Sequence, residues 1–323
     1  MINPIVIGIA AGLAACVLHA SFLYPSALTM LLFFLSPLPI FLVGLGWGVP
    51  AAVAGSLAGT IVILSLVGVP PSVSFFATTG ASPTALVWLA LKSRPSGGNS
   101  EEGEADLQGF QWYPEGRLLL WIAVIAASLT AVAFLIIAPD LDAFRAQVAQ
   151  YIEKVAAAQS PSLSDEEKQG LQALVKPMAA AVPLVATMLW VAIFFVNFRL
   201  ASAILSALKM GLRPFASFGA MRFPRKAALL LLVILAASFL PGTFGFIGSL
   251  FAAAGFAAFA VLGIAVAHGL IERTQVRGAL MATLYVSLAF LGGILLVPLA
   301  ALGLLDMAFP LRTRASKPPA NPT

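Results

Sequence analysis

The sequence predicts an all-α protein: a polytopic bundle of transmembrane helices with about nine spans, in a range of eight to ten. Three observations carry this reading. Of 323 residues, 60% are hydrophobic and only 10% are charged, with a mean hydropathy of +1.00, whereas a soluble domain carries about 25% charged residues. No Asp, Glu, Lys or Arg occurs before Lys92. The apolar runs are continuous and do not alternate, which suits helices that satisfy their own backbone amides and not barrel strands. The same numbers exclude a soluble enzyme, a nucleic-acid binder and a disordered chain. The net charge of +5 reads as Lys and Arg in cytoplasmic loops, with no nucleic-acid partner.

A span needs roughly 20 apolar residues, and turn residues divide 1–91, the N-terminal membrane half, into four helices. Tyr24-Pro25-Ser26, Gly46-Trp47-Gly48-Val49-Pro50 and Gly68-Val69-Pro70-Pro71 mark the turns. The helices fall near 4–22, 26–46, 49–68 and 71–91. The second is expected to break at Ser36-Pro37-Leu38-Pro39, where two prolines remove two amide donors. The fourth is hydroxyl-rich, with Ser72, Ser74, Thr78, Thr79, Ser82 and Thr84. Such hydroxyls also bond to their own backbone, so they do not prove a polar path.

Residues 92–116, with Glu101-Glu102-Gly103-Glu104, read as a flexible polar linker to a C-terminal membrane half, 117–311. A fifth helix follows over about 117–138. Residues 139–176 form an amphipathic extramembrane segment. Leu141, Phe144, Val148, Ile152 and Val155 make one helical stripe, and Ser164 with Glu167 fits a capping box that starts a second short helix. The sixth span is placed near 178–199. The next loop is the most basic, with Lys209, Arg213, Arg222, Arg225 and Lys226, and is assigned to the cytoplasm. Residues 227–271 should hold two helices turning at Pro241-Gly242, and 278–305 the last. A polar tail, 312–323, ends the chain. Nine spans from a cytoplasmic start put Arg312, Arg314 and Lys317 outside. Breaking the last run at Gly292-Gly293 or Pro298 would return them.

Ionisable residues inside a membrane are functional candidates because burying them is costly. Here they are few and lie near span ends: His19, His268, Arg199 and Asp306. An interfacial role is the plainer reading for the histidines, a headgroup anchor for Arg199 and an ion pair with Arg312 for Asp306. Phosphate loops, zinc-protease motifs and serine elbows are missing, so neither an enzyme nor a cofactor or metal site is expected. Cys16 is the only cysteine, which rules out an internal disulfide. Gly8/Gly12, Ala10/Ala14 and Gly55/Gly59 repeat at four-residue spacing, the small-residue ridge of close helix packing, either internal or at a partner interface.

Several short segments bear a family likeness: Leu35-Ser36-Pro37-Leu38-Pro39-Ile40 and the Gly44-to-Gly48 turn, Asn197 with Arg199, Arg222-Phe223-Pro224, His268-Gly269-Leu270, and the ending Leu302 to Arg312. In these the chain resembles the YybS-like family of multi-pass bacterial membrane proteins. The resemblance implies a class and a bacterial inner-membrane location, and no reaction. In that family the chain ends in an acidic-aromatic-Arg pattern, whereas here Pro310-Leu311 precedes Arg312. The first helices also resemble substrate-capture subunits of energy-coupling-factor vitamin transporters. That likeness implies a membrane coupling subunit docked on Gly8, Ala10, Gly12 and Ala14.

The leading expectation is a carrier or substrate-capture protein for a small solute, held among the first four helices by Ser36, Pro37, Pro39, Thr78, Thr79 and Ser82, with His19 as a polar contact. The alternative is a non-transporting scaffold in the bilayer, contacting an envelope partner through 139–176 and the basic loop.

Overall fold

The computed structural model describes residues 3–24, 26–95, 106–107, 110–138, 140–159, 165–309 and 311–314. Pro25, the Glu101–Glu104 run, the Ser164 cap, Pro310 and the tail from 315, including Lys317, lie outside the described residues. Among the described residues there are thirteen α-helices: α1 Pro4–Ala20, α2 Ala27–Phe34, α3 Leu38–Trp47, α4 Val49–Leu66, α5 Val69–Phe75, α6 Ser82–Ala90, α7 Glu115–Ile137, α8 Leu141–Gln159, α9 Asp165–Leu208, α10 Ala227–Ala237, α11 Gly242–Ile271, α12 Arg277–Ala308 and the single turn α13 Leu311–Arg314. Eight segments among the described residues are helical, long and apolar enough to cross a membrane. The protein is an all-α polytopic membrane bundle.

Two compact units emerge: Met1–Ile122 with Ala192–Arg225 and Ala258–Thr323, and Ala123–Val191 with Lys226–Ala257. In the first unit the helix boundaries follow from local chemistry. Asn3 caps α1 by accepting from the Ile5 amide, and Ser26 and Thr29 form a reciprocal capping box on α2. Gly48 (φ 96°) and Gly68 (φ 108°) turn the chain into α4 and α5 through backbone conformations that a Cβ would strain. The four-residue glycine spacing becomes a seam in which α1 and α4 run parallel. Gly8 meets the Ala51 carbonyl, Gly12 the Gly55 carbonyl, and the Cys16 thiol reaches the Gly59 carbonyl at 3.4 Å. A Cβ on Gly8 or Gly12 would overlap those carbonyls, so the helices approach to backbone contact. Ala10 and Ala14 are exposed on another face of α1.

The linker region contains a small antiparallel sheet in the order β1-β3-β2, from Ser93–Pro95 (β1), Asp106–Leu107 (β2) and Phe110–Trp112 (β3). A side-chain bond from Arg94 Nε to Gln111 Oε1 at 2.7 Å supports the pairing.

In the second unit Phe144 of α8 turns inward. It meets Phe134 of α7 edge-on at 5.2 Å and Phe246 of α11 at 5.8 Å, so the apolar stripe of the amphipathic helix is partly spent on its own unit. The second short amphipathic helix and the sixth span prove to be one helix, the 44-residue α9, which runs through Pro177 and Pro183. Each proline withholds one amide from the ladder, yet the remaining bonds carry the helix on.

The eight long apolar helices lie at the lower end of the expected eight to ten, and the segment that falls short of a span is α10. Its 11 residues rise only about 17 Å, roughly half the hydrocarbon thickness. Pro224-Arg225-Lys226 before it and Pro241-Gly242 after it leave no room for more turns. The Pro241-Gly242 turn itself stands as expected, and α10 folds back antiparallel on α11, with Leu231 against Gly255 and Ala237 against Gly248.

The last run is not broken at Gly292-Gly293 or Pro298, since α12 is continuous over 32 residues. It is bent, however. Arg273, just before the helix, donates from Nη1 to the carbonyl of Arg312, just after it, at 2.8 Å. A straight helix of this length would hold its ends about 48 Å apart, further than the short flanking segments and one side chain can bridge. Gly292, Gly293 and Pro298 are the residues whose chemistry permits the bend.

Candidate functional site

In the first unit a span broken at Ser36-Pro37 faces a span that carries a π-type turn. Pro37 and Pro39 cannot donate to the carbonyls of Phe33 and Leu35, which accept instead from the Ser36 and Leu38 amides, both at 3.0 Å. Leu38 is thereby lost to its helical partner, the carbonyl of Phe34. Asn197 of α9 fills the gap, donating from Nδ2 to Phe34 at 2.8 Å and to Ile193 of its own helix at 2.8 Å. The Asn197 side chain is buried, and its Oδ1 has no partner. The facing span runs on from α5 to α6 through a wide π-type turn over Phe76–Ala81, with the backbone helical throughout. Such turns disturb the helical ladder locally and often mark functional positions.

Three side chains join the break and the turn. Ser36 Oγ lies 3.1 Å from Thr79 Oγ1, and Thr79 Oγ1 lies 3.0 Å from His19 Nδ1. The residues are 2%, 0% and 9% exposed. The imidazole sits between Phe33 and Phe75, with ring centroids at 5.1 and 5.2 Å. Each hydroxyl has one proton, so the chain is satisfied in either of two directions, Ser36 to Thr79 to His19 or the reverse. Ser36 and Thr79 lie near the middle of their spans, where water cannot substitute for a missing partner.

Of the seven residues expected to bind solute, the structure joins His19, Ser36 and Thr79 directly, and Pro37 and Pro39 create the break that frees the local backbone. Thr78 and Ser82 turn away and donate to the carbonyls of Ser74 and Ala77 at 2.7 and 2.6 Å. Gly8, Gly12, Gly55 and Gly59 are spent on internal packing.

A second polar assembly in the same unit draws in residues read as surface groups. Arg199, read from the sequence as a headgroup anchor, donates to Glu115 at 2.7 Å and lies over the Phe218 ring. Arg213 belongs to no exposed basic surface. It is 5% exposed, donates to the carbonyls of Ala90 and Tyr113 at 2.8 and 3.2 Å, and lies 3.8 Å from Glu115. Burial pulls its pKa below the ordinary guanidinium value, and Glu115 opposes that pull. The intrinsic basicity of guanidinium keeps it charged. Lys209, Arg222, Arg225 and Lys226 are exposed. Glu115 was not singled out from the sequence, although a lone carboxylate opening an apolar span upstream of Arg199 was a signal available for it.

The Asp306–Arg312 pair is present at 2.6 Å, and Arg312 also donates to the carbonyls of Gly219 and Met221, both at 2.7 Å. Gly219 is packed against Gly269, where a Cβ would come within 2.7 Å of the Gly269 Cα. His268 bridges Glu272 at 3.1 Å and the Tyr285 hydroxyl at 3.2 Å. The short motifs around Arg199, His268 and Arg312 thus converge on the segment 216–221. Among the described residues no group of three or more His, Cys, Asp or Glu is placed to hold a metal.

Comparison with known families gives the class. A family model described as Predicted membrane protein (DUF2232) matches residues 13–307. The chain belongs to that family. The match runs from within α1 to the end of α12, so it takes in the His19 chain, the Glu115 cluster and Asp306, and stops short of Arg312. No curated protein matches the chain, and no solved structure matches it.

Proposed function

We propose that the protein is a carrier, or the substrate-capture component of a transporter, for a small solute in the bacterial inner membrane. The observation that supports this is the meeting of a broken span and a span with a π-type turn at a buried hydrogen-bonded chain, Ser36–Thr79–His19. Irregular helix within a span is tolerated in membrane proteins where it is buried in protein or lines a protected cavity, and here the carbonyls released at the α2–α3 break are taken up by Ser36, Leu38 and Asn197. The unpartnered Asn197 Oδ1 beside the same break adds one acceptor for a solute donor. The bacterial location follows from the likeness to the YybS-like family. If a coupling subunit docks on α1, as in energy-coupling-factor transporters, it meets the exposed Ala10 and Ala14 and not Gly8 and Gly12, which α4 covers. A scaffold acting through 139–176 is less well supported, because Phe144 already packs into its own unit.

The test is native mass spectrometry of protein extracted in mild detergent, comparing the wild type with a Ser36→Ala/Thr79→Val variant. A stoichiometric small molecule on the wild type, reduced at least tenfold on the folded variant, is the expected result. A bare wild-type protein, or occupancy unchanged by the variant, overturns the placement; a stoichiometric protein partner without ligand turns the reading to the scaffold.

A further inference from the structure

The second unit contains a cleft of about 500 Å³ at the junction of α8, α9 and the α10–α11 turn, within the range of about 300–1,000 Å³ usual for small-ligand sites. Its floor is apolar, built on Phe144 and Phe246. Its rim is polar and of both signs. Asp142 is 95% and Arg145 50% exposed in their side chains, and they touch only at 3.7 Å. A contact so long and so exposed contributes little, and both charges remain able to turn to a ligand.

The wall adds acceptors. Ala179 and Pro183 both line the cleft. Pro183 has no N–H to give to the Ala179 carbonyl one turn earlier, so that carbonyl lacks its regular helical donor. Ser249 donates its only hydroxyl proton to the carbonyl of Phe246 at 2.6 Å, which leaves its oxygen to accept. The cleft therefore offers several acceptors, one carboxylate and a single guanidinium above an aromatic floor.

We propose that this cleft binds a small molecule bearing an ammonium group beside an anionic group on an apolar body. Asp142, with the Ala179 carbonyl and Ser249, takes the ammonium; Arg145 takes the anion; Phe144 and Phe246 take the apolar part. The site lies within one unit, is separate from the His19 chain, and does not depend on the carrier reading. Such a head-and-body chemistry occurs both in soluble apolar amino acids and in the aminophospholipids of the bilayer.

The experiment measures thermal unfolding of the full-length protein in two arms. L-leucine is titrated into detergent-purified protein, with N-acetyl-leucine as the control that lacks the ammonium. Phosphatidylethanolamine nanodiscs are compared with phosphatidylglycerol nanodiscs. The expected result is a melting temperature raised by several degrees in one arm and not in its control. Asp142→Asn, at an exposed position where folding is unaffected, should weaken the effect at least tenfold in the concentration required. Ala180→Trp, which fills the cleft, should abolish it. A shift with leucine assigns a soluble solute, and a shift with phosphatidylethanolamine a bilayer lipid. No shift in either arm, or a shift that survives both substitutions, overturns the proposal.

Discussion

Thr79 is the residue on which the buried polar chain turns, because its hydroxyl is shared by Ser36 and His19. Replacing it with valine keeps the shape and strands two buried polar groups. We expect Thr79→Val to cost about 1–3 kcal/mol, read as a lowered melting temperature in detergent. Ser36→Ala alone should cost less, since Thr79 keeps its bond to His19; equal losses would refute the shared role of Thr79. Glu115 is the comparable residue in the charged assembly, a single carboxylate facing Arg199 and Arg213. Its removal leaves a nearly fully buried guanidinium without a counter-charge. Glu115→Ala should destabilise by about 3–5 kcal/mol, and adding Arg213→Met should recover part of the loss. A double variant no better than the single one would refute the coupling.

At the scale of elements, the α1–α4 seam depends on the absence of side chains. Gly12→Val places branched carbons where the Gly55 carbonyl lies, so the helices must separate along their length. Folded yield should fall severalfold. Ala10→Val and Ala14→Val, on an exposed face of the same helix, should leave yield unchanged, and a similar fall in all three would place the seam elsewhere. The break between α2 and α3 was legible because two prolines two residues apart permit no other local outcome. The π-type turn in the facing span was not legible, because hydroxyl-rich residues are compatible with a regular helix. The continuity of α9 was equally hidden. Proline and an amphipathic stripe suggest a boundary, whereas tertiary packing decides whether the helix runs on.

At the scale of the whole molecule, the sidedness of the tail depends on α12. Nine straight spans would have separated Arg273 from Arg312 by the membrane, yet the two residues are bonded. In a Cys16→Ser background, single cysteines at Gln275 and Ala308 should therefore react with an impermeant maleimide from the same side. Labelling from opposite sides would mean that α12 crosses without returning. The positive charges on 272–277 lead us to expect that side in the cytoplasm.

Composition alone determined that this chain is a helical membrane protein, because 60% hydrophobic residues and continuous apolar runs leave no other solvent and no other backbone solution. Local chemistry likewise determined the α2–α3 break, the glycine turns and the short reach of the small-residue ridge. Only the tertiary structure decided which polar residues meet. The residues of each assembly are far apart in sequence, with Ser36 and Thr79 separated by 43 positions and Glu115 and Arg199 by 84. A hydroxyl or a guanidinium carries no mark of its partner until helix register brings the two together.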